Sequence, residues 1–133
     1  MLGELIGKEK GKVIVRRVLP TTVNPRVEVS FETAGSLAGV DIKNMGTYWS
    51  EVKPNGTLYG EGQGIARGEN GELINWKGQG VGEMTPSGGT TYRGSLYYDT
   101  QADNLLGLNK LVGVFEYEVD ADGNTSSEVY EWK

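Results

Sequence analysis

At 133 residues the chain fits one domain, 1–133, large enough to bury a core without staples. It contains no cysteine and no histidine, which removes disulfides, thiolate nucleophiles, serine triads, His/Cys metal sites and imidazole acid–base chemistry. Against 13 basic residues stand 18 acidic ones, and the net charge of -5 opposes phosphate backbones, so no nucleic-acid partner is expected.

The start, Met1 to Ile6, has neither a basic leader region nor a long apolar run, and no later apolar stretch approaches bilayer length. No membrane association is expected, and a reducing cytoplasm is the default location for a chain without cysteine. Short alternating runs follow. The first strands are read over Lys12 to Leu19 and Arg26 to Thr33, joined through a connection around Thr21 to Pro25 that is bounded by prolines. Met45 to Lys53, Thr57 to Arg67, Leu73 to Met84 and Thr90 to Asp99 come next. Their joints, Pro54-Asn55-Gly56, Glu69-Asn70-Gly71 and Pro86-Ser87-Gly88-Gly89, are rich in residues that accept positive φ, so successive strands pair antiparallel. Gln101 to Lys110 reads as one short helical turn near 103–109, capped by Asp103, with Leu105, Leu106 and Leu108 plugging one end. Leu111 to Asp120 and Thr125 to Trp132 close the set around a turn at Asp122-Gly123-Asn124. The chain is therefore all-β, a single closed antiparallel up-and-down β-barrel of about eight strands.

Two glycine ladders, Gly60-Glu61-Gly62-Gln63-Gly64 and Gly78-Gln79-Gly80-Val81-Gly82, place bare backbone on one face of neighbouring strands. Such a stripe suits a sharply curved sheet, or a wall that something bulky must approach. The face holding Ile74, Trp76, Gly78, Gly80, Gly82 and Met84 reads as interior. Leu58, Gly60, Gly62, Gly64 and Ala66, then Tyr92, Gly94, Leu96 and Tyr98, and Gly113, Phe115, Tyr117 and Val119 join it. Trp76, Tyr92, Tyr98, Phe115 and Tyr117 then either fill the space beside the glycines or line a ligand pocket.

Other motifs are plain. The ladders lack the third glycine of a dinucleotide fingerprint, with Arg67 and Thr85 in its place, and no cofactor motif is present. Asp120-Ala121-Asp122-Gly123-Asn124 has its glycine too early for a calcium loop and reads as a hairpin turn, so no metal is expected. Asn55-Gly56-Thr57 and Asn124-Thr125-Ser126 match glycosylation sequons, which mean little without a secretory leader. Glu28, Ser30 and Glu32 share a face, as do Glu116 and Glu118. Outside, these are solvated charges. With the facing inverted, Glu61, Gln63, Arg93 and Glu116 would form a buried network, in which Glu61, Arg93 and Glu116 are the candidate catalytic groups.

Gly46-Thr47-Tyr48, Leu58 to Gly64, Trp76 to Gly82, Arg93 to Tyr98 and Val114 to Asp120 resemble a group of small prokaryotic proteins with an allene oxide cyclase-like, calycin-like barrel. The resemblance implies an eight-stranded antiparallel barrel and a homo-oligomer, and it brings no catalytic constellation with it. Three functions remain open. One is a binding module for a small, largely apolar ligand; another is an isomerase or cyclase in which shape orients the substrate. The third is a filled barrel that associates through outward Tyr59, Ile65, Val81, Tyr97, Val112 and Val114.

Overall fold

The computed structural model describes residues 1–20 and 23–133; the part of the proline-bounded connection at Thr21 and Thr22 lies outside the described residues. Eight strands run β1 Leu2–Leu19, β2 Arg26–Leu37, β3 Val40–Val52, β4 Thr57–Gly68, β5 Leu73–Met84, β6 Thr90–Thr100, β7 Gly113–Val119 and β8 Asn124–Trp132. Each pairs antiparallel with the next, and β1 closes on β8, so the sheet is a closed up-and-down barrel. Closure leaves no free edge along the paired segments, the usual solution to edge-strand exposure.

Three boundaries differ from the sequence reading. β1 begins at Leu2 rather than Lys12. β2 and β3 run on to a two-residue turn, Ala38-Gly39, where the reading ended β2 at Thr33 and began β3 at Met45. Both turn residues have positive φ, 50° and 81°, the left-handed geometry that matches hairpin twist. An alanine in that region carries no turn signal, which is why the hairpin stays hidden in the sequence.

A bulge interrupts β1, because Val13 faces Phe31 and Val15 faces Ser30, leaving Ile14 unpaired and exposed. β1 pairs with β8 only as far as Lys12, so Ile14 to Leu19 run beside β2 alone as a ribbon past that rim. At the opposite end, Leu37, Val40, Ile42, Ala66, Ile74, Leu105 and Leu108 form a closed apolar plug, with Tyr98 packed against it. The helical turn is a 3-10 helix, Asp103–Lys110, whose flanking cap is Ala102 with no side-chain bond, so Asp103 does not cap it. Asn109 holds it instead, accepting from Thr100 N and donating to Thr100 O, both at 2.8 Å. Leu105 and Leu108 are buried as expected; Leu106 is exposed and takes no part in the plug.

The inward rows follow the alternation read for β4 to β7, except that Met84 lies at the rim and is exposed. Side chains occupy the room above the ladders. A Cβ on Gly64 would fall within contact of the Trp76 indole, and one on Gly46 would meet Trp76 Cζ2 at 2.7 Å and Phe31 Cζ at 2.8 Å. Gly80 lies under Phe115, Gly62 under Tyr48 and Gly78 under Leu96. The ladders thus exist because neighbouring side chains and the adjacent strands' carbonyls come too close there to leave room for a Cβ.

Candidate ligand site in the barrel interior

Phe31, Tyr48, Trp76, Tyr92 and Tyr117 form one aromatic cluster across the lumen, with tilted or edge-on contacts at centroid separations from 5.6 Å for Phe31–Tyr117 to 6.3 Å for Tyr92–Tyr117. These are attractive geometries for ring quadrupoles. Beside the cluster a cavity of about 110 Å³ remains, walled on one side by Gly60, Gly62, Gly78 and Gly80. The interior is therefore mainly filled, with a small space beside the cluster. That space is smaller than the few hundred cubic ångströms of a drug-sized site and somewhat below the ~150 Å³ apolar cavity that admits benzene.

All five residues anticipated for a pocket, Trp76, Tyr92, Tyr98, Phe115 and Tyr117, line this cavity. The three anticipated as catalytic groups do not converge inside. Glu61 lies outward, its carboxylate bridged to Gln79 by the Tyr59 hydroxyl at 2.7 and 3.1 Å. Arg93 and Glu116 form an ion pair at 3.0 Å on the outer face, both well solvated, and Gln63 is exposed. The facing is thus the ordinary one, and the inverted network of Glu61, Gln63, Arg93 and Glu116 is not formed.

A different carboxyl takes the inward position. Glu9 on β1 lies opposite Gly35 and Ser127, lines the cavity, and accepts a hydrogen bond from Thr33 Oγ1 at 2.6 Å. Thr33 Oγ1 in turn accepts from Asn44 Nδ2 at 3.3 Å, and Asn44 Oδ1 accepts from Trp76 Nε1 at 2.8 Å. The indole bond fixes which way the Asn44 amide points, and so directs its NH₂ toward the Thr33–Glu9 side. Burial pushes the Glu9 pKa up from 4.5, partly offset by the Thr33 and Asn44 bonds. No basic side chain pairs with it among the described residues.

Four phenols share the lumen. Burial raises the Tyr48 pKa to about 12, a rise moderated by the neighbouring Tyr117 hydroxyl and by the Arg16 charge. Burial likewise raises Tyr92, whose hydroxyl shares a short hydrogen bond with Ser50, and Tyr98, where the Glu9 carboxylate adds to the rise. Tyr117 is also pushed up by burial, and its hydroxyl is buried without a hydrogen-bond partner. All four are neutral donors at physiological pH.

Phe31, Tyr48, Asn44, Ser127 and above all Glu9 escaped the sequence reading of the site. The missed signal for Glu9 is local. In Gly7-Lys8-Glu9-Lys10-Gly11-Lys12-Val13 the lysines occupy one parity while Gly7, Glu9, Gly11 and Val13 occupy the other. Only the second set suits a barrel interior, and Gly7 is buried.

Outside, a broad groove of about 850 Å³ crosses the sheet from β1 to β6. Exposed Ile14, Met45, Ile65 and Tyr97 line it together with Lys77 and Asp99. Of the outward apolar residues anticipated, Ile65, Val81 and Tyr97 are exposed, whereas Tyr59, Val112 and Val114 are half-buried. No helix is long and apolar enough to cross a membrane among the described residues.

No family model matches the chain, and no curated protein does. Solved structures share its fold. A beta-barrel like protein from Acinetobacter baumannii superposes with a TM-score of 0.85 at 14% identity, covering 100% of this chain and 96% of that one. A conserved protein of unknown function from Rhodopseudomonas palustris gives 0.82 at 12%, over 98% and 97% of the two chains. An enzyme from Penicillium herquei gives 0.69 at 10%, over 96% and 92%. At such identities the likeness speaks to the barrel alone.

Proposed function

We propose that this barrel is a binding module for a small, largely apolar molecule held in the interior cavity. The observation that carries the reading is the cavity itself. A space of about 110 Å³ persists beside a tight aromatic cluster, lined in part by Gly60, Gly62, Gly78 and Gly80 and reached by Glu9, Ser127 and Tyr117. Closed, purely structural interiors pack such spaces shut. The volume limits the occupant to about one ring or a short chain. Native mass spectrometry at gentle and then denaturing settings tests whether a small molecule accompanies the purified protein. Titration with toluene, followed by the methyl resonances of Val129 in the cavity wall, tests the site directly. Leu96→Phe, which fills the cavity, abolishes those shifts while the fold persists. Unchanged toluene shifts in that variant would place the ligand elsewhere.

A cyclase- or isomerase-type activity, in which the shape of the pocket orients the substrate, is the second reading. A buried carboxyl favours it, because burial raises the Glu9 pKa and a carboxyl facing the cavity is placed to give or take a proton there. That a protein of the same fold is described as an enzyme supports it at the level of architecture only. Turnover lost in Glu9→Gln and retained in Glu116→Gln is the outcome this reading requires. Self-association is supported by the exposed Ile14, Met45, Ile65 and Tyr97 of the outer groove. It requires a mass above that of one chain that falls when Ile65 becomes Lys.

A further inference from the structure

The cavity has a polar side that the sequence did not suggest. Glu9, Ser127 and Tyr117 stand opposite one another across β1, β8 and β7, in a single inward row, and all three line the cavity. Thr33 occupies one Glu9 oxygen. The Tyr117 hydroxyl is buried with no partner. A buried hydroxyl without a partner is costly unless something completes its hydrogen bonding. The facing wall is of opposite character: it is lined by Gly60, Gly62, Gly78 and Gly80 together with the apolar side chains of Leu96 and Phe115 that lie over Gly78 and Gly80.

Resting on the binding reading above, we propose that the cavity takes a one-ring phenol, with its hydroxyl on the Glu9–Ser127–Tyr117 row and its ring among the apolar side chains Trp76, Leu96 and Phe115. A hydroxyl gives one hydrogen bond and accepts others. It can donate to the Glu9 carboxyl and accept from Ser127 or Tyr117, which is the combination the row lacks. A saturated apolar ligand would leave Tyr117 unpaired. An organic ammonium has aromatic faces and a carboxyl available to it and can donate to the Tyr117 oxygen, so it is the competing occupant that the test separates. The Arg16 charge, felt at both Tyr48 and Tyr117, stands against a cation there.

Isothermal titration of phenol, toluene and benzylamine into the whole protein at neutral pH separates the possibilities. Phenol is expected to bind about tenfold tighter than toluene, the worth of one net hydrogen bond. Tyr117→Phe and Glu9→Leu should each narrow that gap without weakening toluene. Tyr117→Phe is isosteric and removes only the orphan hydroxyl, so it keeps the test intact if Glu9→Leu does not fold. Equal affinities for phenol and toluene in the wild type, both lost in Leu96→Phe, would overturn the polar row while leaving the binding site standing. Benzylamine binding tighter than phenol would overturn it in favour of a cation site. If none of the three binds to folded protein, the binding reading itself fails.

Discussion

Gly64→Ala isolates the mechanism that joins the glycine ladder to the aromatic interior. In register, Gly64 stands between Gly46 on β3 and Trp76 on β5. A methyl group at Gly64 would fall within contact of Trp76 Cε2, Cζ2 and Nε1. The indole cannot simply slide away. Gly46 and the Phe31 ring already crowd the same edge of the indole, and its Nε1 is committed to Asn44 Oδ1 at 2.8 Å. Overpacking of this kind costs about 1–3 kcal/mol, and loss of the indole hydrogen bond adds about 1 kcal/mol. The smaller unfolded-state entropy of alanine returns about 0.4–1 kcal/mol. A net destabilisation of roughly 2–3 kcal/mol follows from these terms. Gly107→Ala is the internal control, because a Cβ there meets nothing within 4 Å and the backbone has no positive φ. It should be neutral or slightly stabilising. Urea unfolding followed by circular dichroism measures both. The double variant Gly64→Ala/Trp76→Leu should be less destabilised than the sum of its parts, since removing the indole removes the clash. A Gly64→Ala protein within about 0.5 kcal/mol of wild type would refute the packing argument.

Tyr117→Phe deletes a buried hydroxyl that has no partner, so it should raise stability by about 1 kcal/mol, read as a melting temperature some 3–5 °C higher. A loss of stability instead would show that the hydroxyl is bonded in solution. Glu9 gives a pH dependence of definite sign. Its folded pKa is raised, so its contribution to stability is complete below the unfolded value of 4.5 and is lost as pH rises through the folded value. Glu9→Gln cannot ionise. It should match wild type below the unfolded value of 4.5 and become progressively the more stable protein as pH rises above it, and a difference that stays constant with pH would contradict the assigned burial. Glu51, Glu72 and Asp120, held low mainly by hydrogen bonds, are common to both proteins and cancel from the comparison. Asn109→Ala removes both bonds to Thr100 and should cost about 1–3 kcal/mol, with hydrogen exchange rising first in the 3-10 helix that seals the plug. Uniform exchange across the barrel would assign Asn109 a global role instead.

Inward and outward faces are legible wherever glycine or an aromatic residue alternates with a charge. Trp76, Gly78 and Gly80 against Lys77 and Gln79 is such a place, and there the sequence leads directly to the cavity wall. The rule extends to β1, where Glu9 sits between lysines on the parity of Gly7 and Gly11, and a carboxyl on that parity must face the lumen. It is hidden because hydrophobicity, the usual marker of an inner face, is absent from Gly7 to Gly11. The partners that make Glu9 tolerable, Thr33 and Asn44, lie on other strands and are brought in only by register. The Ala38-Gly39 turn sets that register: twelve pairs from Arg26–Glu51 to Leu37–Val40 follow from it, Thr33 opposite Asn44 among them. An error of one residue there would turn Asn44 outward and leave the Trp76 indole and the Glu9 carboxyl without their shared link. The turn with the weakest sequence signal thus determines the polar chemistry of the site, while the conspicuous glycine ladders determine its shape.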